Sequence, residues 1–130
     1  MIGALNRMIR EAKRGVFCGG AGVSTESGIS DFRSPDGLYS RLEKRYANPQ
    51  QVLSHTFFIN HMEEFYSILR GEIMLPRLVA NRTHHTLARM ERGGKLTTLI
   101  TQNTDGLHQQ AGSTCVHELH GSSHRNPCMK

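Results

Sequence analysis

The apolar residues at the start of the chain change from a helical spacing to a short continuous run. Ile2, Leu5 and Met8 recur at the spacing of one helix face, which predicts an N-terminal helix. Gly15 interrupts this pattern, and the apolar run at 16–18 is typical of a short buried strand. The chain therefore begins with a predicted helix and strand.

A glycine-rich turn follows this strand. The residues at 19–22 are GGAG, and residues 23–27 predict the start of a helix. Strand, glycine turn and helix follow one another in this order where Rossmann-like units bind phosphate. Thr25 stands where the usual dinucleotide fingerprint has its third glycine, so a structural turn remains an equal alternative.

The rest of the chain alternates between helical and strand-like segments. The predicted elements are a loop at 29–46, helices that start at Pro49, after Ser54 and after Thr83, and strands at 95–101 and 115–119. Gly71 and Gly93 are expected to end the last two helices. Strands that alternate with helices predict an α/β fold with a Rossmann-like parallel sheet and flanking helices.

Composition and charge exclude several classes of protein. Of the 130 residues, 37% are hydrophobic and 21% are charged, which is typical of a globular domain. The net charge of +5 comes from scattered Lys and Arg residues, so we expect no nucleic-acid partner. No apolar segment is long enough for a membrane span. The three cysteines are far apart, which favours a reducing cytoplasm over a disulfide framework.

Two loops carry residues suited to a ligand. Asp31, Phe32 and Arg33 in the long loop suit a flat ring next to a charged group, although the residues alone favour a structural interpretation with Phe32 in the core and an Asp31–Arg33 pair. The loop at 102–105 follows the predicted strand at 95–101, and ligands of parallel sheets bind beyond the carboxyl ends of strands. An Asx turn is the alternative for this second loop.

The end of the chain is rich in histidine. His117, His120, His124 and Cys128 have spacings that raise the possibility of a metal site. However, His117 and His120 would face opposite sides of the predicted strand at 115–119. His120, at the end of that strand, is better interpreted as a general base, since histidine titrates near neutral pH.

Together these segments resemble the sirtuin family. The motifs that carry the resemblance are GAGVSTESGISDFRS at 20–34, TQNTDGLH at 101–108 and HELHGS at 117–122. Their order and separations also fit, and the likeness is greatest to bacterial members. It implies an NAD-dependent protein-lysine deacylase that acts on acetylated proteins, with NAD as co-substrate and a structural zinc ion.

The resemblance also implies roles for individual residues. His120 would be the general base, and Cys128 would be the first of four zinc-binding cysteines. The residues implied at the NAD pyrophosphate are Gly20, Ala21, Gly22 and Thr25; those in the cofactor loop are Asp31, Phe32 and Arg33; and those at the ribose and nicotinamide amide are Gln102, Asn103, Thr104 and Asp105. Among these, Asn103 and Asp105 are expected to contribute to catalysis together with His120.

The chain departs from the family pattern in three places. Ser30 stands where the family usually has proline, which predicts a less rigid cofactor loop. Leu69 stands where relatives that prefer acidic acyl groups have arginine in a Tyr-x-x-Arg pair, so we expect acetyl or other neutral acyl substrates. The zinc module is expected to begin near 122–130, with its other cysteines beyond Lys130, so residues 1–130 are expected to be an inactive N-terminal part of the catalytic domain.

Two other functions are compatible with the sequence. One is a module that binds NAD or ADP-ribose without catalysis, and the other is a metal-binding or structural domain built on the histidine-rich end. The intact His120 and the Asn103-Thr104-Asp105 run favour the enzyme over the binding module.

Overall fold

The computed structural model describes residues 2–74 and 77–125. The elements in chain order are α1 (Ile2–Glu11), β1 (Gly15–Gly19), two 3-10 turns (Ala21–Val23 and Thr25–Ser27), α2 (Leu38–Leu42), a 3-10 turn (Pro49–Leu53), α3 (His55–Asn60), α4 (Met62–Ile68), a π turn (Leu69–Ile73), α5 (Arg82–Arg92), β2 (Leu96–Thr101), α6 (Leu107–Gln110) and β3 (Val116–Glu118).

The three strands form one parallel sheet in the order β1-β2-β3. Phe17 of β1 lies opposite Leu99 of β2, and Thr101 of β2 lies opposite Glu118 of β3. The prediction of an α/β fold with a parallel sheet and flanking helices is confirmed. Because the strands run in one direction, the chain leaves all three at the same edge of the sheet.

The central strand and α5 form the middle of the core. Leu99 of β2 is completely buried and packs with Leu87 of α5 and Leu96, while Phe17 and Val116 cover this cluster from the two outer strands. Burying a side chain of this size stabilises a fold by roughly 1.5–3 kcal/mol. The positions of the apolar residues in the strands therefore determine which face of the sheet packs against α5.

A second core lies in the helical layer at 38–73. It consists of buried Leu38, Leu42, Val52 and Ile68. The loop predicted at 29–46 is therefore only partly correct, because α2 interrupts it. Leu38 and Leu42 are four residues apart, which places both on the buried face of one helical turn.

Several helices differ from the prediction, and the one expected from Pro49 is a 3-10 turn at Pro49–Leu53. Residues 23–27 form single 3-10 turns, which end at Gly28 with φ +92°, rather than an α-helix. The helix after Ser54 is capped as predicted, with Phe57 N–H donating to Ser54 Oγ at 3.1 Å, but it breaks at His61, and Gly71 lies inside the π turn. A run of apolar residues thus concealed a break in the helix at His61.

The cap of α5 is Asn81, not Thr83. The Asn81 side chain accepts from Thr83 N–H at 2.9 Å and His84 N–H at 3.3 Å, and Asn81 N–H donates to His84 Nδ1 at 3.2 Å. This reciprocal pattern is a capping box in which His84 replaces the usual Glu or Gln. Gly93 follows the last residue of α5, as predicted.

The N-terminal helix lies on the outside of this arrangement. Lys95 Nζ donates to the backbone oxygens of Arg10 at 2.7 Å and Ala12 at 3.2 Å, which ties the C-terminal end of α1 to the chain before β2. The apolar stripe of α1 is nevertheless exposed, with Ile2 77% and Met8 66% accessible. None of the helices in the described residues is both long and apolar enough to cross a bilayer.

Candidate functional site at the carboxyl edge of the sheet

The loops after β1 and β2 join at the carboxyl edge of the sheet. Gln102 N–H donates to Gly19 O at 3.2 Å, and Asn103 Nδ2 donates to Gly20 O at 3.2 Å. The glycine turn and the loop at 102–105, which are about eighty residues apart in sequence, therefore form one surface. Open parallel sheets bind their ligands at this edge.

Ser24 is the centre of a buried polar network in this surface. Its side chain is 1% exposed; Ser24 Oγ donates to Asp105 Oδ2 at 2.6 Å and accepts from Asn103 Nδ2 at 3.0 Å. Asp105 Oδ1 also accepts from Leu107 N–H at 3.0 Å. The network fixes the side chains of Asn103 and Asp105 relative to the glycine turn. Nothing in the sequence distinguished Ser24 from its polar neighbours, and its role emerged only with the tertiary contacts.

The glycine turn leaves open space beside its backbone. A Cβ atom at Gly20 or Gly22 would meet no protein atom within 4 Å, so packing against the described residues does not require glycine there. The Thr25 hydroxyl donates to Gly22 O at 3.0 Å and closes the turn locally. Asn81 Nδ2 donates to Val23 O at 2.8 Å, so the residue that caps α5 also forms a hydrogen bond with the chain next to the glycine turn. The free space suits a ligand that approaches the backbone closely.

The cofactor-loop residues fold onto α2. Asp31 accepts hydrogen bonds from the backbone and hydroxyl of Ser34, and no side-chain partner of Arg33 is found among the described residues, so an Asp31–Arg33 pair is not formed. Phe32 is 36% exposed and its ring lies 5.6 Å from that of Tyr39, so it is not a core anchor. The structural interpretation, with Phe32 in the core and an Asp31–Arg33 pair, is therefore wrong.

Part of this loop borders a cavity of about 400 Å³. Its lining includes Thr25, Gly28, Ser30, Asp31 and Ser34. Cavities of this size are typical of small-molecule sites. The residues of the first motif thus line a concave surface next to the glycine turn.

His120 lies two residues beyond β3, at the same edge of the sheet. Its side chain is exposed and makes no hydrogen bond with the other described residues. The following segment is held to the loop after β2, because Ser123 N–H and Oγ both donate to Thr104 O, at 3.0 and 2.6 Å. His124 Nε2 lies 2.8 Å from Asp105 O. The third motif is thereby attached to the second, with the His120 imidazole free for a proton transfer.

Two histidines without a predicted role are buried under this network. His84 and His108 are 0% and 1% exposed, and their ring centroids are 4.8 Å apart. His84 Nε2 and both ring nitrogens of His108 have no hydrogen-bond partner within residues 2–74 and 77–125. Burial lowers the pKa of each imidazole, helped at His84 by the neighbouring His108, while Asp105 acts in the opposite direction. Both rings are therefore neutral near pH 7.

No group of three or more potential metal ligands is found among the described residues. His117 lies on β3, whereas His124 bonds to the backbone of Asp105, so these two side chains have different surroundings. Cys128 lies outside the described residues.

The comparisons with known proteins agree with this geometry. A curated NAD-dependent protein deacetylase of Clostridium acetobutylicum is 50% identical over 128 residues, which cover 98% of this chain and 52% of that protein. Its namesake in Clostridium perfringens is 47% identical with the same coverage. The chain therefore spans about half the length of these curated relatives.

Solved structures give the same result. One, a Sir2 variant with a deacetylated p53 peptide and 3'-O-acetyl ADP ribose, superposes with a TM-score of 0.82 at 39% identity and covers 93% of this chain and 47% of that chain. Another, Sir2 bound to an acetylated peptide, has a TM-score of 0.77 at 36% identity, covering 94% and 46%. A model of the Sir2 family matches residues 20–130. The chain therefore belongs to the Sir2 family, the sirtuins.

Proposed function

We propose that the complete gene product is an NAD-dependent deacylase that removes acetyl or other neutral acyl groups from lysine side chains of proteins. The observation that carries this proposal is the joining of the three motifs at one sheet edge, which has both the exposed His120 imidazole and the fixed Ser24–Asn103–Asp105 network. The names of the curated relatives support it.

The glycine turn would hold the pyrophosphate of NAD. Gly20, Ala21 and Gly22 offer backbone next to open space, and Thr25 closes the turn. A side chain at Gly20 or Gly22 would fill the space that a phosphate needs. This fit is local to the described residues, since the adenosine half is expected to bind beyond them.

The two loops next to the turn would hold the reactive half of NAD. Phe32 and Arg33 are exposed at the loop surface, where an aromatic ring and a cation can contact the nicotinamide ribose and a charged group. Asn103 and Asp105 are fixed through Ser24, so their remaining polar atoms are pre-oriented for a ribose and a carboxamide. Gln102 precedes Asn103, and Thr104 lies between Asn103 and Asp105, in the same loop.

His120 would act as the general base. Bound NAD supplies an electrophilic ribose carbon, whose bond to nicotinamide breaks as the acyl-lysine oxygen attacks. The His120 imidazole would accept a proton from a ribose hydroxyl, which could then attack the acyl carbon. Asn103 and Asp105 keep the ribose oriented during this transfer. A water molecule would then add to the acyl carbon as the lysine amine leaves, so that acyl-lysine, NAD and water give the free lysine, nicotinamide and O-acyl-ADP-ribose.

A structural zinc ion belongs to the same proposal. Cys128 would supply one thiolate, and a structural site needs four ligands, so the others would come from elsewhere in the complete gene product. Zinc content measured on the purified protein, with Cys128→Ser as the variant, tests this part. Retention of stoichiometric zinc in that variant would contradict the role of Cys128.

Nicotinamide release tests the deacylase proposal. The complete gene product is incubated with NAD and an acetyl-lysine peptide, and nicotinamide and the deacetylated peptide are quantified together. We expect the two products in equal amounts and none without the acetyl group. NAD binding without peptide-dependent release would instead show a non-catalytic binding module.

A further inference from the structure

The guanidinium of Arg41 joins three segments of the chain. Arg41 Nη1 donates to Ser30 Oγ at 2.8 Å and to Asp36 O at 2.9 Å, while Nε and Nη2 donate to Glu72 Oε2 at 3.1 and 2.8 Å. Ser30 and Asp36 lie on either side of Asp31–Arg33, and Glu72 lies in the π turn of the helical layer. One side chain therefore connects both ends of the short cofactor segment to a separate packed element.

The helix that contains Arg41, α2, also forms backbone hydrogen bonds with this segment. Leu38 N–H donates to Asp31 O at 2.8 Å, and Tyr39 N–H donates to Phe32 O at 3.1 Å. The N–H groups in the first turn of a helix have no partner within the helix, and here the loop carbonyls accept hydrogen bonds from them. Leu38 and Leu42, 3% and 2% exposed, bury α2 in the helical core. The position of Phe32 thus depends on the position of α2.

Arg41 contacts the loop at Ser30, a position where this chain departs from the family pattern. Ser30 stands where the family usually has proline, whose ring would fix φ. The Ser30 N–H donates to no group among the described residues, so the side-chain hydroxyl of Ser30 makes the contact that holds this residue to Arg41. Ser30 and Asp36 both line the 400 Å³ cavity. Arg41 therefore restrains the wall of the candidate NAD site at the point where proline is missing.

We propose that Arg41, paired with Glu72, is a positioning residue that holds the cofactor loop in its NAD-binding arrangement; this rests on the function proposed above. Arg41 and Glu72 are 39% and 33% exposed, so the pair is partly screened by solvent. A contact of this strength organises the loop and still allows it to open for product release.

Steady-state kinetics of the complete gene product test the proposal. In Arg41→Ala and in Glu72→Gln we expect the KM for NAD to rise about threefold to tenfold, with the KM for the acetyl-lysine peptide within about twofold of wild type. Arg89→Ala is the matched control, because Arg89 is exposed and its side chain has no partner among the described residues. Equal rises in both KM values, or no rise for NAD, would overturn the proposal.

Restoring proline separates positioning from general instability. Because Ser30 N–H makes no bond among the described residues, Ser30→Pro can restrain the backbone without losing a backbone hydrogen bond. In the Arg41→Ala background the bond from Arg41 to the Ser30 hydroxyl is already absent. We expect Arg41→Ala/Ser30→Pro to recover most of the wild-type KM for NAD. A double variant no better than Arg41→Ala would count against the loop as the affected element.

Limited proteolysis tests the loop without any activity. Chymotrypsin cleaves after aromatic residues, and Phe32 and Tyr39 lie in the restrained segment. We expect cleavage there to be faster in Arg41→Ala than in wild type and in Arg89→Ala, and slowed again by Ser30→Pro. If the wild type shows no deacylation, the proposed function fails while this measurement still decides the loop restraint; unchanged cleavage in Arg41→Ala would refute the restraint itself.

Discussion

His120 combines an exposed imidazole with attachment of its segment to the loop after β2. In the complete gene product, His120→Ala should lower deacetylation on the order of a hundredfold to ten-thousandfold, the usual cost of losing a general base. NAD affinity should change little, because the glycine turn and the Ser24 network remain. Turnover and NAD titration calorimetry on the same preparation measure both. His117→Ala, an exposed histidine on β3, is the control; near wild-type turnover in His120→Ala would remove it from the mechanism.

Ser24 and Ser27 allow a matched comparison of two serines close in sequence. Ser24 Oγ has two partners, Asp105 and Asn103, whereas Ser27 Oγ is buried with none among the described residues. Ser24→Ala should destabilise the protein by about 1–3 kcal/mol, since it leaves buried polar groups unsatisfied. Ser27→Ala should be neutral or stabilising. Urea unfolding of the complete gene product checks the order, and the reverse order would show that the network is not a source of stability.

We expect Leu69 to influence which acyl group the site accepts. A buried carboxylate needs a charged partner, and an apolar side chain at position 69 provides none. The guanidinium of Arg70 lies over the Tyr66 ring, 5.5 Å from its centroid, and Arg70 is exposed. Acetyl-lysine peptides should therefore be processed faster than succinyl-lysine peptides, and Leu69→Arg should shift the ratio toward succinyl. Faster removal of succinyl by the wild type would contradict this reasoning.

The contact between α5 and α6 contains the buried pair His84 and His108. Their folded pKa values lie below the ordinary value of 6.5, so the unfolded chain takes up protons first as the pH falls. The stability due to the neutral pair is thus present above about pH 6.5 and is lost as the pH falls below it. The free energy of unfolding should decrease between about pH 7 and pH 5.

Histidine variants of the complete gene product identify the source of this acid sensitivity. His108→Leu should flatten the pH dependence of the unfolding free energy, because one of the two depressed imidazoles is gone. His85→Gln, an exposed neighbour on α5, should leave the slope as it is in wild type. An unchanged slope in His108→Leu would show that other groups titrate in this range.

The sequence predicted those elements whose signals are local. The strands at 96–101 and 116–118 have continuous apolar or β-branched runs, and Ser54 caps α3 where expected. The boundaries of α2 and α5 depend instead on tertiary contacts, because Asn81 also bonds to Val23 and α2 is held by the loop that precedes it. Propensity alone cannot choose between Asn81 and Thr83, since both are good cap residues.

The candidate site was predictable only in outline, for the same reason. The rule that ligands bind beyond the carboxyl ends of parallel strands placed the loop at 102–105 correctly. Ser24, Arg41 and His108 carry no local sequence signal for their contacts. The side-chain hydrogen bonds of Ser24 and Arg41 reach residues from 5 to 81 positions away. Their roles follow from how the loops pack, and the periodicity of the sequence does not contain that information.

At the scale of the whole molecule, the exposed apolar surface of α1 and β1 predicts self-association of a polypeptide limited to residues 1–130. Leu5 and Met8 of α1 are 56% and 66% exposed and Val16 of β1 is 60% exposed. In the described sheet β1 pairs only with β2, so its other edge has free backbone groups. Apolar side chains next to an unpaired strand edge favour contact between copies.

Sedimentation velocity over a range of concentrations measures this association. We expect residues 1–130 to form oligomers at micromolar concentration, and Leu5→Glu/Met8→Lys to shift the distribution toward monomer because charges replace the apolar stripe. The same polypeptide should neither retain stoichiometric zinc nor deacetylate a peptide, since Cys128 alone cannot make a four-ligand site. A monomeric 130-residue polypeptide would show that the exposed apolar residues of α1 and β1 do not cause self-association. A zinc-loaded and active one would show that the chemistry requires less of the fold than the family resemblance implies.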